Sequence, residues 1–510
     1  MELNLQRQTI TINETVFQAS VEQPIECDAL LPDYCPDIVK VLKCGAITHV
    51  DSSSVSGNRL TIEGMALIQI YYASDQNQIR HAEYKVPFDK QIDLRAAPEK
   101  PIVNITPSVD YVNCRAVNQR RIDVRGAVSF TVKVMDQREQ QFISDAAGAG
   151  LQIRREMIKA THILGQSKNT FPVAEELELG YGKGQIGTIV RTSYRTHAHD
   201  HKVVSGKVVV KGDFMIHILY QPLEDEETLE VMEYMLPLSQ IVDSEYADED
   251  CLCDVELFVI SCDITPKAGE DGEYRAFDLD ARVGANVTAH RHSEIPVAGD
   301  CYSTKYETAS KQAPVSFIRL IDMVSEIIPH KVALDLPEGV ESLLDAWGDV
   351  QSISWKRQSG ALVLDLKLNV CLFARMENRE CLYFEHPTEL SHTITLSENC
   401  GELQFEPTCK LLSCSYSLVG KEKIEMRCEV MVRGCVYCTI RREAISDISV
   451  DEEKVKVKEQ NKLYIYYADM GESVWKIAKN YNTAASAIWE ENNIESDELG
   501  EKRMLLIPIV

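Results

Sequence analysis

A glycine-rich segment in the first half of the chain has the residue types of a nucleotide-binding loop. Residues 182–187 run Gly-Lys-Gly-Gln-Ile-Gly, which matches the glycine spacing of a dinucleotide fingerprint. That chemistry needs a strand before the loop and a helix after it, because the helix N-terminus holds the pyrophosphate. The residues that follow, 188–194, are β-prone. We therefore predict a glycine-rich turn here rather than a nucleotide site.

Two further segments carry the side chains of metal ligands. His197, His199 and His201 alternate, so in a strand they share one face, but neighbours on that face lie about 6.6 Å apart. Cys435 and Cys438 have the spacing of a zinc pair, yet the run around them alternates, which turns the two thiols to opposite faces. We favour a polar edge for the histidines and packing for the cysteines. Metal binding stays open as the alternative at both segments, and no cofactor is predicted.

Sequence signatures of catalysis do not appear in the chain. There is no P-loop, no His-Glu-x-x-His and no Gly-x-Ser-x-Gly element. Carboxylates are so frequent that spacing alone cannot single out an acid/base pair. We predict a protein that is not an enzyme, with a hydrolase of unrecognised β-rich fold as a distant alternative.

The composition limits the partners and the compartment. A net charge of −26 argues against nucleic acid or an anionic membrane, because binding to phosphates requires clustered lysine and arginine. The N-terminus lacks the pattern of a signal peptide, and no run of 18 apolar residues appears. We expect a cytoplasmic protein inserted in no membrane. Its 16 cysteines are then expected to be free, buried thiols.

The first 445 residues contain a repeat of about 150 residues. An alternating strand at residues 60–72 recurs at 208–220, an offset of 148 that also matches Gly64 with Gly212, and a third version runs over 362–372. Each is followed by a proline in a β-like context, at Pro87, Pro237 and Pro387. Period-2 alternation places one face of each strand in a core. We predict a mainly β protein of three antiparallel, sandwich-like repeats over residues 1–148, 149–310 and 311–445.

The connecting segments have a different character. Residues 146–150 are alanine and glycine, and they precede a stretch around Ile153 to Ile163 that we interpret as helical. Residues 446–461 are predicted to be a charged linker, with its solvated part from Asp451 to Asn461.

The last segment, residues 462–510, has the pattern of a small strand–helix–helix–strand domain. An apolar run ends at Tyr467, Ser473 is a good N-cap, and apolar residues then recur at helical spacing up to Tyr481. Thr483 is expected to cap a second helix. These signals predict a βααβ fold with one small core.

This segment resembles the LysM family, whose members bind cell-wall glycans. The resemblance implies a groove with Gly471, Glu472, Ser473 and Val474 on one wall and with Asn492, Asn493 and Ile494 on the other. Trp475 lies beside the apolar helical face, and it is expected either to anchor a partner or to pack at the edge of the core. The sequence departs from the family at Glu472, at Glu491 and at residues 501–503, where a Pro-Gly turn is usual. A protein ligand therefore competes with a sugar.

The segment Leu-Pro-Asp-Tyr-Cys-Pro-Asp-Ile at residues 31–38 resembles the signature of the SPOCS domain, a family of spore envelope proteins from endospore-forming Firmicutes. Degraded versions occur at 179–186 and 336–344. SPOCS-type repeats followed by LysM are typical of spore-coat morphogenetic proteins. The resemblance implies a protein of the mother-cell cytoplasm that is recruited to the forespore surface by a SpoIVA-like scaffold ATPase, with LysM serving protein–protein contact.

These observations lead to two functional hypotheses. The first is a non-enzymatic coat morphogenetic adaptor that docks on the scaffold ATPase through LysM. The alternative is a protein that binds the N-acetylglucosamine glycan of peptidoglycan in the wall or spore cortex. The sequence leaves open which ligand the groove takes.

Overall fold

The computed structural model describes residues 3–225, 227–420, 422–456 and 463–508. Strands dominate it, and the helices of the described part are two short ones near the C-terminus. This confirms the prediction of a mainly β chain with a small α+β domain at its end.

The first two repeats have the same six-stranded topology. In the first, β1 pairs with β6 and β6 with β5, and the second sheet has the order β2-β3-β4. In the second, the sheets have the orders β7-β12-β11 and β8-β9-β10. All pairings are antiparallel. The strands are β1 (Asn4–Leu30), β2 (Ile38–Ser56), β3 (Arg59–Ser74), β4 (Ile79–Asp93), β5 (Pro101–Asn118), β6 (Arg121–Ala147), β7 (Leu151–Glu178), β8 (Ile186–Val204), β9 (Lys207–Pro222), β10 (Glu230–Asp243), β11 (Leu252–Ala268) and β12 (Tyr274–Ser303).

The third repeat keeps this plan and splits one edge strand into two. Its first sheet joins β13 to β19, with β17 and β18 both pairing to β19, and its second has the order β14-β15-β16. The strands are β13 (Tyr306–Asp335), β14 (Val340–Gln358), β15 (Ala361–Met376), β16 (Cys381–Thr395), β17 (Glu402–Phe405), β18 (Thr408–Val419) and β19 (Lys423–Val455).

Each repeat buries a core between its two sheets. The alternating runs that define the repeat in the sequence are the central strands β3, β9 and β15. Their inward residues pack against the inward residues of β6, β12 and β19 respectively. Because a strand turns alternate residues to opposite faces, one half of each run fills the core. Pro87, Pro237 and Pro387 lie on β4, β10 and β16, at sheet edges where a missing N–H is tolerated.

Gly64 and Gly212, which the repeat offset matches, occupy the same structural position. A Cβ built on Gly64 would lie 2.2 Å from the carbonyl oxygen of His49, and one on Gly212 would lie 2.3 Å from that of His197. The facing strand bulges towards both glycines, after Val50 and Ala198. Glycine is therefore required by the close approach of two backbones.

Equivalent parts of all three repeats meet at two shared contacts. At one end, the long strand pairs β1–β6, β7–β12 and β13–β19 bury a common cluster that includes Phe142, Ile295 and Phe317. At the other, Tyr71, Leu219 and Phe373 from the central strands meet around Trp347. Every pair of repeats is in contact, so the repeats close on one another in an approximate threefold arrangement.

Matching positions carry opposite charges at the second of these contacts. Arg191 and Asp345 form an ion pair of 2.6 Å in which both side chains are almost fully buried. Lys43 instead pairs with Asp349 at 3.0 Å and lies over the ring of Trp347. These charges make the three interfaces different from one another. The matching positions are those paired with Tyr71, Leu219 and Phe373 on the central strands. They hold Lys43, Arg191 and Asp345 respectively.

The prediction of a helix around Ile153 to Ile163 is wrong, because these residues belong to β7. The helical propensity of this stretch is overridden because β7 pairs with β12 along the whole length of β7. The predicted linker at 446–461 is wrong as far as residue 455, since β19 continues to Val455 and pairs with β13. Residues 457–461 lie outside the described part. The predicted repeat boundaries at 310/311 and 445 fall inside β13 and β19.

Two cysteine pairs depart from the expectation of free thiols. Cys44 is bonded to Cys114 and Cys400 to Cys438, with Cα–Cα distances of 6.0 and 6.1 Å. These distances are ordinary for disulfides. Sequence patterns could not reveal them, because each pair joins strands or loops that are distant in the chain. The other twelve cysteines are free.

Candidate binding site in the C-terminal domain

The C-terminal domain has the predicted strand–helix–helix–strand order. It consists of β20 (Leu463–Ala468), α1 (Val474–Asn480), α2 (Ala485–Asn492) and β21 (Arg503–Pro508). The two strands form one antiparallel sheet, and the helices cover its inner face with a core that includes Val474, Ile488 and Leu505. Ser473 is the N-cap of α1, as predicted, because its hydroxyl accepts the backbone N–H of Lys476. Lys462, Ile509 and Val510 lie outside the described residues.

The second helix starts differently from the prediction. Its N-cap is Ala484, which makes no side-chain capping bond. Thr483 is fully buried instead and donates its hydroxyl to the carbonyl oxygen of Pro508. The threonine ties the loop between the helices to the end of β21, so it supports the fold of the domain.

The first wall of the expected groove is a tight loop bonded to the segment before β21. Gly471 has a φ of +86°, a conformation that glycine adopts without strain. Ser473 donates its hydroxyl to Asp497 at 2.8 Å, and the backbone N–H of Val474 donates to the Asp497 carbonyl oxygen at 2.8 Å. Glu472 accepts a hydrogen bond from the Tyr466 hydroxyl. Val474 is fully buried, so Gly471, Glu472 and Ser473 form the accessible part of this wall.

The second wall divides into a structural residue and two accessible ones. Asn492 donates its side-chain amide to the carbonyl oxygens of Ile488 and Leu506 and accepts the N–H of Leu506. These bonds hold β21 against α2, so Asn492 stabilises the fold of the domain. Asn493 is exposed and ends the helix in the left-handed conformation, and Ile494 is half-buried against the core.

Trp475 lies at the contact between the C-terminal domain and the second repeat. Only 5% of its surface is exposed. Its indole N–H donates to Asp300 at 2.8 Å, and its ring meets that of Tyr302 edge-on with centroids 5.0 Å apart. Both partners belong to β12. Trp475 is therefore a docking residue within the chain, and an exposed role in the groove does not fit its burial.

Polar contacts around Trp475 complete this interface. Lys479 forms an ion pair with Asp300 at 2.7 Å, and the Tyr302 hydroxyl donates to the carbonyl oxygen of Thr483 at 2.7 Å. Burial raises the pKa of the Asp300 carboxyl, but hydrogen bonds from Lys479 and Trp475 outweigh it and hold the pKa below its usual range.

The same interface reaches the first groove wall. Arg154 on β7 forms an ion pair of 3.1 Å with Asp497, whose carboxylate also accepts from Ser473. One wall of the groove is thus tied to the second repeat. The domain is seated on the body of the protein rather than presented on a free tether.

The outer face of the β20–β21 sheet is apolar and open. Tyr467 is 78% exposed and Ile465 is 59% exposed. They stand opposite Met504 and Leu506 on β21, and Met470 extends the surface beyond the end of β20 at 71% exposure. We refer to these residues as the apolar sheet face: Leu463, Ile465, Tyr467, Met470, Met504 and Leu506. This surface was not predicted from the sequence, although the alternation in 463–468 gives a signal for it: the outward positions are as apolar as the inward ones.

The other candidate segments lie in the repeats. The glycine-rich loop at 182–187 leads into strand β8 and not into a helix, so it lacks the element that would hold a pyrophosphate. His197 and His199 lie on β8 with ring centroids 6.3 Å apart, and His199 forms an ion pair with Asp213. Within the described part of the chain, no three histidine, cysteine or acidic side chains are grouped so as to hold a metal ion.

Comparison with known families assigns two kinds of domain to the chain. The family model described as SipL, SPOCS domain, matches residues 37–117 and 185–267, and the LysM domain model matches residues 469–508. The first two segments cover β2–β5 and β8–β11, and the last covers the C-terminal domain. The third repeat shares their topology but is not among the matched segments. No curated protein and no solved structure gives a match.

These matches confirm the LysM assignment and the SPOCS assignment of the first two repeats, and for the third repeat the SPOCS assignment stays a prediction. The two families are binding or adaptor domains, and their combination is that of a spore-coat-related protein with a domain type that binds peptidoglycan. Among the described residues, no helix is both long and apolar enough to cross a membrane.

Proposed function

We propose that this protein is a non-enzymatic adaptor of spore-coat assembly, which binds a SpoIVA-like scaffold ATPase through its LysM domain at the forespore surface. The proposal also places the protein in the mother-cell cytoplasm before recruitment. Its basis is the pairing of SPOCS-type repeats with LysM, together with the surfaces that the LysM domain leaves accessible.

The apolar sheet face is the observation that carries this proposal. Ile465, Tyr467 and Met504 form a contiguous apolar surface on a two-stranded sheet whose other face is already covered by helices. Clustered exposed apolar residues with an aromatic at the centre are typical of protein-binding surfaces. The opposite side of the domain is occupied by the second repeat through Trp475. A partner protein therefore has one large apolar surface available on LysM.

Glycan binding is the second candidate, and the loops of the groove support it in part. Gly471, Glu472, Asn493 and Ile494 keep accessible atoms on both walls. Val474 and Asn492 are engaged inside the domain, and Asp497 is paired with Arg154. A sugar would thus meet a shallow groove with few free polar groups.

The two functions are separable by variants of the full chain. Ile465→Glu combined with Tyr467→Glu places charge on the apolar sheet face without touching the core. Asn493→Gly removes a side chain from the groove and keeps the left-handed conformation that ends α2. Ser486→Glu, at an exposed position of α2, adds negative charge elsewhere on the same domain and serves as the matched control.

Binding is measured to the purified scaffold ATPase and, by sedimentation, to purified peptidoglycan. We expect the face variant to bind the ATPase at least tenfold more weakly and the Ser486→Glu variant to bind like the unmodified chain. The adaptor proposal fails if the face variant binds the ATPase normally, or if the unmodified chain sediments with peptidoglycan but does not bind the ATPase.

A further inference from the structure

One pair of free cysteines lies across an edge of the third repeat. Cys414 on β18 stands directly opposite Cys428 on β19 in the antiparallel register. Their sulfur atoms are 2.8 Å apart. Cross-strand neighbours in such a pair have their Cβ atoms about 4.5–5.5 Å apart, and small movements bring that separation into the range of a disulfide.

The two thiols differ in access. Cys414 is half-buried at the sheet edge, whereas Cys428 is 4% exposed and belongs to the core of the repeat. The two sulfurs are close enough for one to attack a disulfide that forms on the other.

An arginine from the second repeat acts on both sulfurs. Arg195 on β8 donates to the carbonyl oxygen of Leu412, next to the bulge that precedes Cys414. The pKa of the Cys428 thiol is lowered, first by the hydrogen bond from Cys414 and further by the charge of Arg195, against the opposing effect of burial. The hydrogen bond raises the pKa of Cys414. Because the thiolate is the nucleophile in disulfide exchange, Cys428 is the more nucleophilic thiol of the reduced pair.

We propose that Cys414 and Cys428 form a reversible disulfide by exchange with a low-molecular-weight disulfide of the glutathione type. In the first step the thiolate of one cysteine of the pair attacks the small disulfide, forms a mixed disulfide and releases one glutathione thiolate. The other cysteine, once it loses its proton, attacks the mixed disulfide at the protein sulfur and releases the second glutathione thiolate. Two cysteine thiols lose two electrons and two protons, and one glutathione disulfide becomes two glutathione molecules.

The position of this pair gives the bond a structural effect. Strand β18 carries contacts from the third repeat to the second: Lys410 pairs with Glu256 at 2.9 Å, and Leu412 binds Arg195. A bond between Cys414 and Cys428 fixes the register of β18 on β19 just after the Leu411/Ser413 irregularity. Oxidation therefore stabilises the strand that joins two repeats.

The test uses the full chain, reduced and then equilibrated at neutral pH over a series of glutathione redox ratios. Free thiols are blocked in denaturant, and peptide mapping measures the fraction of Cys414 joined to Cys428. We expect that linked peptide to rise with the oxidised fraction and to disappear on reduction. Peptide mapping separates it from the Cys44–Cys114 and Cys400–Cys438 pairs.

Variants test the specificity of the pairing and the part of the arginine. Cys409→Ser, on the same strand but opposite Val432, should leave the linked peptide unchanged. Arg195→Gln should slow the formation of the linked peptide and move the pH midpoint of its rate upwards, because the charge of Arg195 lowers the pKa of the Cys428 thiol. The proposal is overturned if Cys414 and Cys428 both stay fully alkylatable at every redox ratio in the folded protein, or if Cys414 pairs with a different cysteine.

Discussion

Replacing Asp300 with alanine should release the LysM domain from the second repeat without unfolding it. Asp300 accepts the indole N–H of Trp475, and it also pairs with Lys479. A hydrogen bond to a charged group contributes about 1.5–3 kcal/mol, and Trp475 is nearly fully buried. The ion pair is partly exposed and contributes about 0.5 kcal/mol. The docked state should therefore lose about 2–3.5 kcal/mol, which is about 30- to 300-fold in its equilibrium constant.

Native-state hydrogen exchange measures this loss directly, because local opening has its own free energy. In the Asp300→Ala variant, the indole N–H of Trp475, which lies in the docked interface, should exchange about 30- to 300-fold faster. Amides of α1, α2 and β21, which are bonded within the domain, should keep their protection. Lys502→Ala is the control, since it removes an exposed ion pair with Asp469 on the same domain and should change nothing.

The pH dependence gives a second readout of the same contact. The pKa of Asp300 is lowered in the folded protein, so its contribution is present above the usual aspartate range and is lost as the pH falls through the lowered value. In the unmodified chain, the LysM domain should therefore undock in acid. In the Asp300→Ala variant, the docking equilibrium should show no such dependence on pH. The reasoning is refuted if Asp300→Ala leaves exchange of the Trp475 indole N–H within twofold of the unmodified chain, or if the amides of α1 and α2 lose protection at the same time.

Three further predictions concern the repeats. Asp345→Ala leaves the buried guanidinium of Arg191 unpaired and should lower the free energy of unfolding by about 3–5 kcal/mol in denaturant titration; a loss below 1 kcal/mol would contradict this. Burial, followed by the charge of Arg191, lowers the pKa of His217 to about 4, so stability should fall by about 3 kcal/mol as the pH drops from about 6.5 to 4; His217→Gln should flatten that slope. Gly212→Ala forces a Cβ against a backbone carbonyl and should cost about 1–3 kcal/mol. Gly45→Ala, with open space around it, is its control and should be near neutral.

The features that the sequence predicted correctly depend on local pattern. Alternation located the central strands of all three repeats. The 148-residue offset matched Gly64 with Gly212, and at both positions a carbonyl oxygen of the facing strand lies too close for a side chain. The cap at Ser473 followed from the residue type at the start of a helical periodicity. The alternation and the cap act within a few residues, and the repeat is the recurrence of such a local pattern, so a single sequence carries all three signals.

The features that the sequence missed depend on contacts between distant segments. The stretch after Ile153 forms a strand because β12 pairs with it, and Cys44 meets Cys114 because two sheets face each other. From the sequence, Trp475 lies beside the apolar face of α1 and could be accessible. In the structure, Asp300 and Tyr302 of β12 pack against Trp475 and bury it. Long-range packing of this kind leaves no local signal, and it changed the expected role of a groove residue.

Hydrogen exchange of the full chain with and without the purified scaffold ATPase tests the proposed function most directly. The apolar sheet face should be covered in the complex, so we predict new protection at 463–470 and 503–507 on adding the ATPase. Residues 492–494 should remain as exposed as in the free chain. Unchanged exchange along both strands, with protection at 471–474 and 492–494 on adding peptidoglycan fragments instead, would contradict the account and establish the groove as the binding site.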